Sequence, residues 1–324
     1  MDRCVISGSG RRVVSAVLIL SLLLCGSGWA ANFAVKARLV EQSLLLDGYA
    51  VEGLAVVVGE RGHILRSEDG GRSWQQAEVA TRATLTGVFL HNAQLGWAVG
   101  HDQVILRSRD GGKSWQEVYR DIEAESPLLD VWFADELRGY AIGAYGYFLE
   151  TGDGGESWEA RRIAAEDFHL NMIVPAGGSR LFVVGEAGTI LRSDDQGESW
   201  EQLPSPYQGS FFGALALSQE SLLVFGLRGN LFRSDDGGRS WTELATGTEA
   251  SLSDGLQLPD GSLVIGGLAG TLLVSQDQGE SFVVHQQEDR KGFSSLVTSV
   301  DSKLVGVGEF GVKSLPFNSF MAVK

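Results

Sequence analysis

The chain has 324 residues, 44% of them hydrophobic, with 43 glycines, 6 prolines and 8 tryptophans, a make-up ordinary for a folded soluble protein. Its 41 acidic residues against 26 basic ones leave a formal net charge of −15, which disfavours nucleic acid or an anionic lipid surface as main partner, since either needs a basic face. Both cysteines, Cys4 and Cys25, fall within the first thirty residues, so the rest of the chain has no disulfide framework, thiolate nucleophile or cysteine-held metal.

Residues 1–30 read as a secretory signal peptide rather than part of the fold. Arg3, Arg11 and Arg12 make a basic start, Val13 to Leu24 an apolar core too short to span a bilayer, and Gly28 and Ala30 the small residues that suit cleavage after Ala30. Cleavage removes three arginines and one aspartate, leaving 23 basic against 40 acidic residues, about −17. An uncleaved signal anchor is the alternative. A twin-arginine signal at Arg11-Arg12 fits less well, with Val14 where Phe is usual. A lipoprotein site at Cys25 fits less well too, with Leu24 where a small residue is expected. The expected address is the periplasm, or the thylakoid lumen in a photosynthetic organism. After cleavage nothing in the chain spans a membrane.

Next comes Phe33 to Val40, "FAVKARLV", which alternates apolar with basic or small residues. From there the chain repeats. "SEDGGRSW" ends at Trp74, and relatives of it end at Trp115, Trp158, Trp200, Trp241 and Phe282, in steps of 41, 43, 42, 41 and 41 residues. Upstream of each copy stand an apolar run, a glycine, a short loop, usually a second glycine, and another run, as in "FVVGEAGTILRS" at Phe182 to Ser193. A seventh copy, "LVGVGEFGVKSLP" at Leu304 to Pro316, lacks the Asp motif.

Each unit holds four short strand-like runs bounded by Gly or Asp turns, for instance near 86–91, 96–99, 104–107 and 115–119 in the second. Seven such units of 40–45 residues predict an all-β, seven-bladed β-propeller of four-stranded antiparallel blades. The expected blades are 43–80, 84–120, 128–163, 168–204, 211–246, 251–287 and 293–317, the last completed by a strand from 33–40 that closes the ring and removes open edges.

The motif falls between third and fourth strands. Glycine supplies positive φ there, Asp and Ser side chains bind turn N–H groups, and the aromatic opens the next strand and fills space between blades. Asp69 and Trp74, Asp110 and Trp115, Asp153 and Trp158, Asp195 and Trp200, Asp236 and Trp241, and Asp277 and Phe282 therefore read as structural pairs, not as a site built six times. The motif resembles the Asp-box, or BNR repeat, of sialidases and many exported propellers. The longer pattern G-x-x-G-x-I-L-x-S-x-D-G-G-x-S-W resembles the photosystem II stability/assembly factor family, seven-bladed propellers of the thylakoid lumen with relatives in non-photosynthetic bacteria. That resemblance implies a non-catalytic scaffold that helps a membrane protein complex assemble or stay stable.

The enzymatic alternative is a carbohydrate-active or glycan-binding, sialidase-like propeller. The Arg-Ile-Pro motif of sialidases is missing; Arg162-Ile163 is followed by Ala164. Arg66, Arg107, Arg192 and Arg233 hold one equivalent strand position, so symmetry spreads them round a ring rather than converging them on one carboxylate. "GVGEFG" at Gly306 to Gly311 has no helix to receive a phosphate, and the five histidines lack zinc spacing. No cofactor, metal or catalytic residue is expected.

In an up-and-down blade the loops after strands one and three share one disc face. Those after strand two and between blades share the other. The repeats diverge on the second face, which makes it the expected protein-binding face. Its candidate residues are Arg61, Asp102, Tyr145, Glu186, Arg228 and Phe310 from the turns, with Phe168, Tyr207 and Phe211 from the connections between blades.

Overall fold

The computed structural model describes Met1, in a unit Met1–Ala31, and residues 33–298 and 304–315, in a unit Asn32–Lys324. The signal-peptide reading lies outside the described residues. Seven antiparallel sheets follow one another along the chain, each in simple up-and-down order, with short 3-10 turns and no α-helix among the described residues. Blade two has the expected strands to within a residue: Leu85–Leu90, Gly96–Gly100, Ile105–Ser108 and Ser114–Tyr119.

The first strands are Leu45–Val51, Leu85–Leu90, Leu128–Phe133, Leu170–Pro175, Phe211–Ala216, Leu252–Gln257 and Phe293–Thr298. Each touches the first strands of both neighbouring blades, and blade one touches blade seven, so the ring is closed. The second strands, such as Leu181–Gly185 and Leu222–Gly226, are wholly buried because a blade is packed on both faces. Seven apolar clusters result, one for each seam between blades.

The glycine that ends each second strand is explained by close approach. At Gly185, φ is −164°, open to any residue, but a Cβ would stand 2.1 Å from the carbonyl oxygen of His169. That oxygen accepts a hydrogen bond from the Glu186 N–H at 2.9 Å. The same clash and the same bond recur in all seven blades, from Gly59 against Leu44 to Gly308 against Gly292. The glycine thus lets the entering chain cross over the turn that follows the second strand.

The expected closure by residues 33–40 is corrected. Among the described residues, blade seven has three strands, Phe293–Thr298, Leu304–Gly308 and Gly311–Leu315, and 33–40 is not a fourth. Gln76, on the outer strand of blade one, captures that segment instead. Its Nε2 donates to the Val35 carbonyl and its Oε1 accepts the Ala37 N–H, both at 2.9 Å, while the Ala34 N–H donates to Val79. A single amide side chain thus copies both halves of a strand ladder. Val40, in the 3-10 turn Val40–Gln42, then enters the apolar seam between blades seven and one with Leu45, Val57, Val297 and Val305. A further departure is Glu78–Val79, which leaves blade one to pair in parallel with Ser114–Trp115 of blade two.

Candidate functional site

All six Asp motifs fold alike. In the second, Asp110 Oδ1 accepts the Ser108 hydroxyl at 2.9 Å and the N–H groups of Lys113 and Ser114 at 3.0 Å, and Oδ2 accepts the Ser114 hydroxyl at 2.6 Å. The Ser108 hydroxyl also accepts the Gly112 N–H at 3.0 Å. Equivalent bonds surround Asp69, Asp153, Asp195, Asp236 and Asp277, with Thr151 replacing Ser in the third copy. Backbone and hydroxyl donors converging on one carboxylate favour its ionised form. The Ser199 hydroxyl and N–H and the Ser193 hydroxyl hold Asp195 down at about 2.

The motif aromatics fill the seam toward the preceding blade. Trp115 packs with Val56 and Val88, Trp158 meets Phe133 edge-on at 5.9 Å, Trp200 meets Phe148 at 5.9 Å, and Phe282 joins Leu223 and Leu263. Trp74 joins Val305 and Trp241 joins Phe182. The four recurrent arginines strap blades one, two, four and five to the motif of the next blade. Arg66 donates to the Gly111 carbonyl, Arg107 to Gly154, Arg192 to Gly237 and Arg233 to Gln278, at 2.6–2.9 Å. Blade three has Glu150 in that position, and Arg161 from its outer side takes over, pairing with Glu150 at 3.2 Å and donating to the carbonyls of Gly197 and Glu198. Asp110→Ala strips four donors of their acceptor in a half-buried turn. It is expected to lower unfolding free energy by about 2 kcal/mol, read from the urea midpoint.

The turns after the second strands carry a second regularity. Their middle residues, Arg61, Asp102, Tyr145, Ala187, Arg228 and Ala269, are all left-handed, with φ of 52–58°. Arg61, Tyr145 and Arg228 are exposed; Asp102 is half-buried and pairs with Arg120 at 3.0 Å. Glu186 is brought to His169, whose Nδ1 lies 3.2 Å from its carboxylate, and His169 stacks edge-on against Tyr145 at 5.1 Å. Phe168 is exposed beside them. Tyr145, Phe168 and Glu186 are therefore gathered at one place. Phe310 is remote from that group and packs half-buried on Phe293, with the Lys313 ammonium over its ring.

Phe211 does not belong on an exposed face. It opens the first strand of blade five, one residue before a bulge, and is fully buried in the seam against Tyr207 and Phe232. Tyr207 is half-buried over the same pair, so this part of the loop is an aromatic plug.

The central channel has no counterpart among the sequence expectations. First strands from all seven blades line a cavity of about 430 Å³ that holds the half-buried Asp47, Asp130 and Asp254. Every first strand has a bulge after its first residue. The bulge leaves one N–H per blade to be satisfied from outside the ladder. Asp47 accepts those of Gly48 and Val88, Asp130 those of Val131 and Ile173, and Asp254 those of Gly255 and Leu296. Met172 Sδ faces the seventh, from Ala214, at 3.4 Å. Each aspartate thus caps its own blade and the next. The lining includes no Lys, Arg or His among the described residues. Burial first, then repulsion from Asp130 and Asp254, pushes Asp47 up to about 8. Burial pushes Asp130 up to about 7 and raises Asp254 as well. The signal was present in the repeat: "LLDGYA", "LLDVWF" and "LSDGLQ" put Asp at one register of three first strands.

Among the described residues no helix is long and apolar enough to cross a membrane, and no group of three His, Cys, Asp or Glu is placed to hold a metal ion. The closed ring, its Asp-box locks and its divergent turn face define an Asp-box β-propeller. The profile of the family described as photosynthesis system II assembly factor YCF48 matches residues 38–123 and 119–265, and the chain belongs to that family. No curated protein matches it in sequence. Among solved structures, YCF48 bound to D1 peptide is 19% identical, covering 84% of this chain and 92% of its own, with a TM-score of 0.69. YCF48 from Cyanidioschyzon merolae is 15% identical over 84% and 94%, with a TM-score of 0.68. A streptogramin B lyase is 14% identical over 88% and 98%, with a TM-score of 0.72. At these identities the likeness is one of fold, and that fold also carries an enzyme.

Proposed function

We propose that this propeller is an exported, non-catalytic scaffold that binds a protein partner and assists the assembly or stability of a membrane protein complex. The observation that carries the reading is family membership over more than half of the chain. The similar YCF48 structure bound to a D1 peptide supports a protein ligand for this class of disc. The architecture agrees: the Asp-box face is spent on turn locks and blade straps, while the opposite face varies from blade to blade and exposes Tyr145, Phe168 and Arg228.

The test is capture of partners by the full-length tagged protein from detergent-solubilised membranes of its own organism. Specific recovery of integral membrane subunits is expected. Recovery of none, combined with turnover of a glycoside substrate, overturns the scaffold in favour of a carbohydrate-active propeller.

A further inference from the structure

Tyr145 stands where the backbone disfavours it. Its φ of 56° is the left-handed region, which costs any L-residue energy and a bulky one more. The residue is 59% exposed, so little burial offsets that cost. The surroundings give the tyrosine a use. His169 packs edge-on to it, Phe168 is exposed next to His169, and Gly146 abuts the backbone of 166–168. At His169 Nδ1 stands the Glu186 carboxylate, with 46% of its side chain exposed.

His169 Nδ1 faces two partners of opposite need. The Tyr145 N–H at 3.4 Å requires its lone pair; the Glu186 carboxylate at 3.2 Å requires a proton on it. Where Nδ1 accepts from Tyr145, its lone pair faces the Glu186 carboxylate, whose Oε2 accepts the His169 backbone N–H at 3.3 Å. A guanidinium or ammonium group on Glu186 removes that conflict, and the aromatic faces of Tyr145 and Phe168 attract the same charge. Glu166 and Asp167 are also exposed here, Asp167 paired with Arg162 at 2.9 Å, and the whole protein stands at −15. Such a field draws in basic partners.

We propose that Tyr145, Phe168, His169 and Glu186, on blades three and four, form a docking ledge for a basic, extended segment of a protein partner. An Arg or Lys side chain of that segment lies over Tyr145 and pairs with Glu186. The inference rests on the protein-binding reading above and adds the place and the chemistry.

The experiment measures fluorescence anisotropy of a labelled twelve-residue peptide alternating Arg with Gly and Ser, titrated with the full-length protein. A peptide with Glu in place of Arg is the counter-probe. The Arg peptide is expected to bind the wild type more tightly than the Glu peptide, and less tightly as salt rises. Tyr145→Gly and Glu186→Gln are each expected to weaken it about threefold to fivefold. Glu243→Gln, on the outer strand of blade five, should leave it unchanged. Because glycine adopts φ near 56° freely, Tyr145→Gly should melt no lower than wild type while it loses binding, a split that a structural role for the ring does not produce. Equal binding by wild type and both variants, or preference for the Glu peptide, overturns the ledge. In the membrane capture, a wild type and variants that recover the same subunits would overturn the ledge but leave the protein-binding reading standing. Failure of the wild type itself would overturn that reading.

Discussion

Asp130→Ala is expected to lower unfolding free energy by about 3 kcal/mol at pH 5, since the N–H groups of Val131 and Ile173 both lose their acceptor beside the channel. One of those bonds is internal to blade three and the other ties it to blade four, so the loss should appear as weaker coupling between blades. At pH 8 the same change should cost less, because it also removes a desolvated negative charge. Asp130→Asn separates the two effects: it keeps one acceptor oxygen, misplaces an NH₂ group, and carries no charge.

The pH profile of the wild type follows from the same residues. Asp47 and Asp130 titrate at about 8 and about 7 in the fold against an ordinary aspartate value of 3.8, so the folded state holds more protons than the unfolded state between those limits. Stability from these groups is therefore fully present below about pH 4 and is lost as pH rises toward 8. The Asp-box carboxylates act in the opposite sense. Asp195 and Asp277, at about 2, stabilise the fold above the unfolded value and lose that contribution as pH falls toward 2. The two sets share one unfolded value and pull from opposite sides, which puts the optimum near pH 4–5. A tenfold change in proton affinity corresponds to about 1.4 kcal/mol, and cavity water screens part of it, so a net fall of about 3 kcal/mol from pH 5 to pH 8 is expected. Urea unfolding at these two pH values measures it. A stability that rises over this range, or an Asp130→Asn variant with an unchanged slope, would sink the account.

What can be read from the sequence is what repeats. Blade number, strand order and the turn motif each recur six or seven times, and recurrence at a fixed step turns a weak local signal into a strong one. The arginine ring is legible because Arg66, Arg107, Arg192 and Arg233 keep step with the motif; its replacement by Arg161 in blade three is not, because that exchange crosses two strands. Chain closure is illegible for a related reason. The alternation in 33–40 signals an extended segment but not its partner, and a lone Gln76 amide decides that. The burial of Phe211 is legible by the same rule of recurrence, since it stands in register with Leu45, Leu85, Leu128, Leu170, Leu252 and Phe293, the buried residues that open the other first strands. The channel aspartates are the hardest feature to see. Three equivalent positions among seven do not look like a repeat until all seven first strands are set side by side.

Gly185→Ala is expected to lower unfolding free energy by about 3–4 kcal/mol. Its Cβ would lie 2.1 Å from the His169 oxygen, 3.2 Å from the His169 carbonyl carbon and 3.4 Å from Leu170 Cα, all backbone atoms that no rotamer change can move. Relief requires His169 to withdraw, which breaks its bond from the Glu186 N–H and drags the start of blade four away from the channel. Gly152→Ala is the matched control: a Cβ there meets nothing within 4 Å, and φ is not positive, so a change within about 0.5 kcal/mol is expected. The two variants, compared by urea midpoint, separate loss of glycine as such from loss of the close approach; equal midpoints would refute it. The damage also has a direction. His169 joins Tyr145 to Glu186, so withdrawing its backbone disturbs the ledge before the ring opens, and Gly185→Ala should lose binding of the Arg peptide under conditions where its β-sheet signal is still intact. The glycine that lets each blade's entry cross its own turn is, in blade four, also what holds the binding residues in register.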